Sequence, residues 1–444
     1  MAEPVAIAIV LETAHAGSTQ ILMDAAIQHL GEAMASRDDV QNHPSGRRRS
    51  FLAGVATAVT AVSAGCLDTL EELASEEPGD PRADAEGYDT ELVLEGLSHP
   101  WGLAFVPDSS FVLVTLRDGE LLIVDREAGS SESVGGVPDV YASGQGGMLD
   151  VATHPAYPDE SWVYLTYSIA NDEGESATAV GRGRLELDGG AATLEEFDRL
   201  HVAEPYVDST GHFGSRVVFG PDGLLYVTTG DRQFTEFDSD HVSQDTTNEL
   251  GATLRLEADG SIPPDNPFVD DEYIEDSIFT YGHRNVQGMT VHPETAEIWQ
   301  SEHGEEDGDE LNVLEAGGNY GWPIAHTGCE YGTDEPIGDD PHDLEDVVDP
   351  VYYWECTTGG FPPAGMAFYD GEAFPEWEGD LFVGNLAGQY LGRFTVDGTD
   401  VEAVESLLGG RGWRVRDVAV APDTGVLYAL VDDDSGPLVR IIPE

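Results

Sequence analysis

The sequence predicts an all-β protein, a six-bladed β-propeller preceded by an export signal and an acidic tether. One theme recurs from about Tyr88 to Glu444: a short strand with a small residue, a turn that is often Pro-Asp, then a second apolar strand. Aligned on Ala104, Ala152, Val218, Thr290, Ala367 and Ala419, six copies recur about every 63 residues, room for one four-stranded sheet each. No helical period of comparable length competes. Closing the sheets into a ring removes the exposed edges that so long a β chain would otherwise carry.

In order, the copies read Gly-Leu-Ala-Phe-Val-Pro-Asp (102–108), Asp-Val-Ala-Thr-His-Pro (150–155) and Arg-Val-Val-Phe-Gly-Pro-Asp-Gly (216–223). They continue as Gly-Met-Thr-Val-His-Pro (288–293), Gly-Met-Ala-Phe-Tyr-Asp-Gly (365–371) and Asp-Val-Ala-Val-Ala-Pro-Asp (417–423). Each leads into an apolar strand, such as Val112–Thr115, Trp162–Leu165 or Leu225–Thr228. Unrelated hairpins in a sandwich would rarely give six equivalent copies.

Residues 1–65 are read as a leader rather than fold. Arg47-Arg48-Arg49-Ser50-Phe51-Leu52 precedes an uncharged run of 14 residues, Leu52 to Gly65, which resembles a twin-arginine export signal. That run is short for a transmembrane anchor. Ser63-Ala64-Gly65-Cys66 resembles a lipobox with Cys66 as the lipidated residue; a chance cysteine is the competing reading, and Met34 is an alternative start. The expected location is the outer face of the cell membrane, with contact to the bilayer only through the lipid. Residues 66–87, acidic with Pro78 and Pro81, read as a linker to a catalytic domain at 88–444. Cys329 and Cys356 then remain, an even number that reads as one disulfide, with two buried thiols as the alternative.

Charge excludes several functions. The chain has 86 Asp and Glu against 19 basic residues, all arginine, for a net charge of −67. Nucleic acids and anionic lipid surfaces need clustered cations, so neither is a partner. Disorder fails as well, because 40% of residues are hydrophobic and the apolar stretches alternate with turns. A folded protein suited to high salt fits the balance, since ions screen the repulsion of a carboxylate-coated surface.

Propellers carry function in loops at one mouth of the central channel. Thr210-Gly-His-Phe-Gly-Ser-Arg216 offers His212 just before a strand, and Thr229-Gly-Asp231 offers a carboxylate just after the next. His212 is a candidate general base and Asp231 its orienting partner. Arg284, Arg414 and Arg416 lie in further inter-repeat segments, and scarce arginines there suit an anionic ligand. A structural histidine and surface ion pairs are the plainer alternatives.

At these residues the chain resembles the soluble quinoprotein aldose and sorbosone dehydrogenases, six-bladed propellers that use pyrroloquinoline quinone (PQQ) and calcium. The matching stretches are Gly144-Gln-Gly-Gly-Met-Leu-Asp150, Gly211–Arg216, Gly282-His-Arg-Asn285, Gly308-Asp-Glu-Leu-Asn312, Asn319-Tyr-Gly-Trp-Pro323 and Arg414-Val-Arg-Asp417. The resemblance implies a sugar or polyol substrate and an electron acceptor that the sequence leaves unnamed. It makes His212 the base, Asp231 its orienter and Arg284 the cation beside the quinone carbonyl. It gives cofactor contacts to Gln145, Arg284, Asn285, Tyr353, Trp354, Arg414 and Arg416, and calcium to the backbone carbonyls of Gly304 and Glu305.

Three departures stand out. Glu305 replaces the family's proline at the calcium turn, and Ala387 in Leu386-Ala387-Gly388 replaces a lysine. Glu355 to Phe361 is an apparent insertion. Ala387 supports an alternative of another class, a propeller that binds a ligand or partner without redox chemistry. A lactone hydrolase is a third reading, and it requires metal-binding side chains converging on the channel.

Overall fold

The computed structural model describes residues 84–188 and 191–444, all within one compact unit, Ser75–Glu444. The twin-arginine and lipobox segments, with Cys66, lie outside the described residues.

Among the described residues, β1 (Tyr88–Leu97) comes first and twenty-three more strands follow. β2 (Pro100–Phe105), β3 (Phe111–Leu116), β4 (Glu120–Asp125) and β5 (Ser130–Gly135) run antiparallel in sequence order. β6 (Met148–Thr153), β7 (Trp162–Ala170), β8 (Ser176–Asp188) and β9 (Ala191–Val202) do the same. A short parallel pairing of β5 with β9 joins these two runs into one eight-stranded sheet.

Three four-stranded sheets follow. The first is β10 (Val217–Phe219), β11 (Leu225–Thr228), β12 (Ala252–Leu256) and β13 (Ile278–Tyr281). The second is β14 (Val286–Val291), β15 (Ile298–Glu302), β16 (Glu310–Val313) and β17 (Tyr352–Tyr353). The third is β18 (Pro363–Phe368), β19 (Leu381–Asn385), β20 (Tyr390–Asp397) and β21 (Asp400–Leu407).

The last sheet is β22 (Val415–Val420), β23 (Leu427–Val431) and β24 (Gly436–Pro443), completed by β1 from the start of the domain. All six repeat anchors fall on β2, β6, β10, β14, β18 and β22. These first strands touch one another in turn, and β22 meets β2, so the ring closes.

Burial explains the sequence pattern. Inner strands such as β3 and β23 lie between neighbouring sheets and are apolar almost throughout, whereas β1 and β21 carry exposed acidic residues. The last residues of the 66–87 segment contact the folded body. Ala85 donates its N–H to Ser406 O at 2.7 Å and Tyr88 donates its hydroxyl to Asp84 at 3.0 Å, so the docked body begins by Asp84.

Hydroxyls fasten four of the six inner pairs to the next. Thr115 on β3 donates to Leu149 O on β6, and Thr166 on β7 to Ser215 O at 2.6 Å. Thr228 on β11 reaches Val286 O at 3.1 Å and Ser301 on β15 reaches Ala364 O at 3.2 Å. Carboxylates do the same nearer the axis, where Asp150 accepts from Val217 N and Asp417 from Leu103 N, both at 2.9 Å. A Cβ on Gly102 would strike Asp150, and one on Gly365 would strike Asp417, so glycine is needed at both close approaches.

Arg216 occupies the axis. Its guanidinium lies 3.1 Å from Asp150 and 3.2 Å from Asp417 and stacks over Trp101 at 4.2 Å. Burial pushes both carboxyls up and the Arg216 cation opposes it. Replacing Arg216 by Met would strand two buried carboxylates, which costs about 3–5 kcal/mol. Urea unfolding of Arg216→Met should show that loss, with partial recovery in Arg216→Lys; an unchanged midpoint would refute the axial role.

Candidate active site

Three inter-strand segments converge at one end of the ring. The first, 211–215, precedes β10 and is held in unusual backbone: His212 has φ 43°, Gly214 61° and Ser215 85°. The second, 229–231, follows β11. A Cβ on Gly214 would hit the Thr229 backbone and one on Gly230 would hit His212 O, so the two segments touch backbone to backbone. The third precedes β14, and its Arg284 carbonyl accepts from Asp231 N at 2.8 Å.

This packing brings His212 and Asp231 together. His212 Nδ1 lies 2.6 Å from Asp231 Oδ1, with both residues buried. Trp322 Nε1 donates to Asp231 Oδ2 at 2.9 Å and Gln233 N donates to Oδ1 at 2.9 Å. Burial pushes the Asp231 carboxyl up, but the His212 hydrogen bond and the His212 and Arg284 charges outweigh it and hold it below its ordinary value. An ionised Asp231 accepts from Nδ1–H, so Nε2 is the nitrogen available to act as a base. Gln145 Oε1 accepts from His212 N at 2.8 Å, and Asn285 Oδ1 accepts from Gly214 N at 3.2 Å. Both residues therefore support the turn that carries the histidine.

Arg284 is buried beside this pair, its guanidinium 5.2 Å from the Trp322 ring. Its N–H donates to Glu302 Oε2 at 2.8 Å, and its side chain forms an ion pair with Glu305. Its Nε is buried without a protein partner. Nearby His303 is driven down to about 3, by desolvation first and then by the His212 and Arg284 charges, so it stays neutral.

The turn around Gly304 is tight. Asp309 accepts from Gly304 N at 3.1 Å and from Phe361 N at 2.7 Å, and a Cβ on Gly304 would sit against the carbonyl oxygens of Asp307 and Gly308. No group of three or more His, Cys, Asp or Glu side chains among the described residues has metal-site geometry. Carbonyl ligation at Gly304 and Glu305 would not need one.

Arg416 is buried, bound to Gln287 Oε1 at 2.8 Å and Asp432 Oδ2 at 2.9 Å, with Nε unpartnered. Burial pushes the Asp432 carboxyl up, yet Arg416 and a hydrogen bond from His99 hold it far below the usual range. Arg414 is half-exposed and extends to Leu386 O at 3.5 Å, which puts a cation next to Ala387, where the family resemblance leads one to expect lysine.

The two aromatic residues assigned along the cofactor ring have these protein contacts. Trp354 stacks on Phe361 at 4.5 Å and packs edge-on against Tyr352 and Phe394, while the Tyr353 ring lies 5.6 Å from His342. Trp354 serves the turn through its backbone, since its carbonyl accepts from Gly308 N at 2.7 Å. Cys329 and Cys356 are disulfide-bonded, with Cα atoms 5.5 Å apart. Sequence reasoning missed Trp322 as a partner of Asp231, although it lies inside a quoted motif. It also missed the Glu305 ion pair, which no spacing rule announces.

The family model described as Glucose / Sorbosone dehydrogenase matches residues 97–440. Aldose sugar dehydrogenase YliI of Escherichia coli is 38% identical over 353 residues, covering 80% of this chain and 92% of that protein. The crystal structure of the soluble aldose sugar dehydrogenase from Escherichia coli in its apo form superposes with a TM-score of 0.74 at 37% identity, covering 80% of this chain and 100% of that one. The PQQ-bound form of aldose sugar dehydrogenase from Streptomyces coelicolor gives a TM-score of 0.63 at 29% identity, covering 82% and 100%.

The Asp231 carboxyl titrates below its ordinary 3.8, so its stabilising effect is complete above about pH 4 and fades as pH falls through the lower folded value. Asp231→Asn should therefore be less stable than the parent at neutral pH, with the gap closing in acid. Thermal melts from pH 3 to pH 7 measure it, and a gap that ignored pH would contradict the assignment.

Proposed function

The chain belongs to the glucose/sorbosone dehydrogenase family, and from that premise we propose a quinoprotein dehydrogenase. It oxidises the hydroxyl of an aldose or related polyol, using PQQ and calcium, and passes the electrons to a separate acceptor. The observation that carries this reading is the His212–Asp231 pair at 2.6 Å beside the Arg284 guanidinium. Four four-stranded sheets and the two halves of the eight-stranded one support counting six propeller blades. Residues 1–65 and Cys66 remain, on their motifs, an export signal and lipid site that place the enzyme on the outer face of the membrane.

The residues present suit the cofactor. PQQ is a tricarboxylated quinone, and the Nε atoms of Arg284 and Arg416 are buried donors that lack a protein partner. Gln145, Asn285 and Arg414 add further amide and cationic donors. The Gly304 and Glu305 carbonyls would supply hard oxygen ligands of the kind calcium prefers, in a turn where the Asp307 and Gly308 oxygens crowd Gly304. Bound there, PQQ supplies the two-electron acceptor and calcium the Lewis acidity.

The chain's own groups do the rest. Asp231 fixes the His212 ring, and Trp322 and Gln233 keep Asp231 ionised and oriented. His212 Nε2 then takes the hydroxyl proton as the adjacent C–H bond breaks. Arg284 provides fixed positive charge where negative charge develops. One observation favours the second reading, a propeller that binds without redox chemistry: the Glu305 carboxylate already neutralises Arg284.

His212→Ala should reduce dye-linked turnover of aldoses by about 10²–10⁴-fold while PQQ still binds. Undiminished activity, or no PQQ binding by the parent protein, would defeat the proposal. Glu305→Gln should tighten PQQ binding in an absorbance titration and lower the melting temperature of the cofactor-free protein, because it releases Arg284 from its internal partner. Weaker PQQ binding in that variant would show that Glu305 helps to hold the cofactor.

A further inference from the structure

We propose that Tyr331 is a sugar-facing platform at the mouth of the site, on which the C–H face of a neutral pyranose stacks. This rests on the dehydrogenase reading and adds to it a specificity-determining residue and a ring-form substrate.

Four large hydrophobic side chains are conspicuously exposed among the described residues, and three lie away from the site: Leu92 on β1, Leu187 on β8 and Tyr273 between β12 and β13. The fourth, Tyr331, is 63% exposed and is tied to the Gly304–Asp309 turn. Two residues before it, Cys329 exchanges both backbone hydrogen bonds with Glu306 at 3.0 Å. One residue after it, Gly332 N donates to Glu306 Oε2. Cys329 is also bonded to Cys356, whose segment reaches the same turn through Gly359 N and Asp307 at 3.2 Å. The tip closes on itself through Glu330 N–H to Glu335 O at 3.0 Å.

The phenol thus stands on a preformed support. After desolvation, the influences on its hydroxyl are, in order, Arg284, Glu305, Asp309 and Glu306, the groups that border the proposed reaction centre.

The chemistry of a pyranose matches this arrangement. Its axial C–H bonds form an apolar face that packs on an aromatic ring, and its rim of hydroxyls donates to carboxylates. An aromatic ring offers large contact area with little conformational entropy to lose, more so when its backbone is already fixed. Glu306 at the turn and exposed Glu330 and Glu335 on the same short loop give the segment negative charge, which disfavours an anionic sugar.

The test titrates D-glucose and the acyclic polyol D-sorbitol into the full chain reconstituted with PQQ and calcium. Calorimetry reads affinity and dye reduction reads kcat and KM. Tyr331→Ala should weaken glucose binding and raise its KM about tenfold, with kcat and melting temperature unchanged, and Tyr331→Trp should restore both. Sorbitol, which has no ring face, should be indifferent to either change.

Glucose parameters in Tyr331→Ala equal to the parent's, or equal losses for glucose and sorbitol, would overturn the platform. Turnover at an unchanged KM would do so while leaving the dehydrogenase intact. Glucose binding that depends on Tyr331 in a protein that reduces no dye would uphold the platform and sink the enzyme.

Discussion

The arginine on the ring axis is the constraint to which the other features answer. Arg216 leaves the chain just before β10, yet its guanidinium reaches carboxylates on β6 and β22, the Gln287 carbonyl on β14 at 2.5 Å and the Arg416 carbonyl at 3.2 Å. Trp101 on β2 lies under its face. One side chain therefore links five of the six innermost strands. The carboxylates it neutralises also accept the backbone N–H groups of Val217 and Leu103, so charge balance and ring closure are the same set of bonds. A buried ion cluster of this kind contributes less to net stability than to uniqueness, because any other register of the first strands would strand a charge.

The candidate site inherits its geometry from that closure. Arg216 ends the turn whose earlier members are His212 and Gly214, and Phe213 packs with Trp101 and Leu149. Fixing Arg216 on the axis therefore fixes the left-handed backbone at His212, a conformation that persists only where its surroundings over-determine it. Gln145 and Asn285 complete the restraint from neighbouring segments. His212 is placed by backbone bonds on both sides, and Asp231 then needs only to orient the ring.

Much of this was legible in the chain. The six anchors fall on the six first strands because the strand–turn–strand pattern is local to each repeat. The hydroxyls of Thr115, Thr166 and Thr228 close equivalent second strands for the same reason. The His212–Asp231 contact was legible because a strand, a turn and a strand return the chain to one end. What depends on partners remote in sequence was not. The β1–β24 pairing joins the two ends of the domain, and the Trp322–Asp231 hydrogen bond spans 91 residues. Nor did the sequence show that the Trp354 ring stacks on Phe361, the last residue of the inserted segment.

The distribution of charge ties fold to chemistry. With no lysine, every cation is a planar guanidinium that can be stacked and hydrogen-bonded in a fixed plane. Arg216 lies over Trp101, Arg232 over Phe213 and Arg284 near Trp322, all buried. Burial lowers Arg232 to about 10, which still leaves it charged at neutral pH. The interior thus sets guanidiniums among buried carboxylates beneath a strongly negative surface. Salt screens the exposed carboxylates from one another far more than it screens buried pairs. High ionic strength would therefore relax the repulsion outside while leaving the axial cluster and the Arg284 ion pair nearly intact. Arg414 is different. Half in solvent beside Ala387, it is the one cation of the proposed site whose attraction for an anionic ligand salt can weaken. Retention of such a ligand in salt must then fall chiefly to Arg284 and Arg416, the two buried guanidiniums that keep an unpartnered nitrogen.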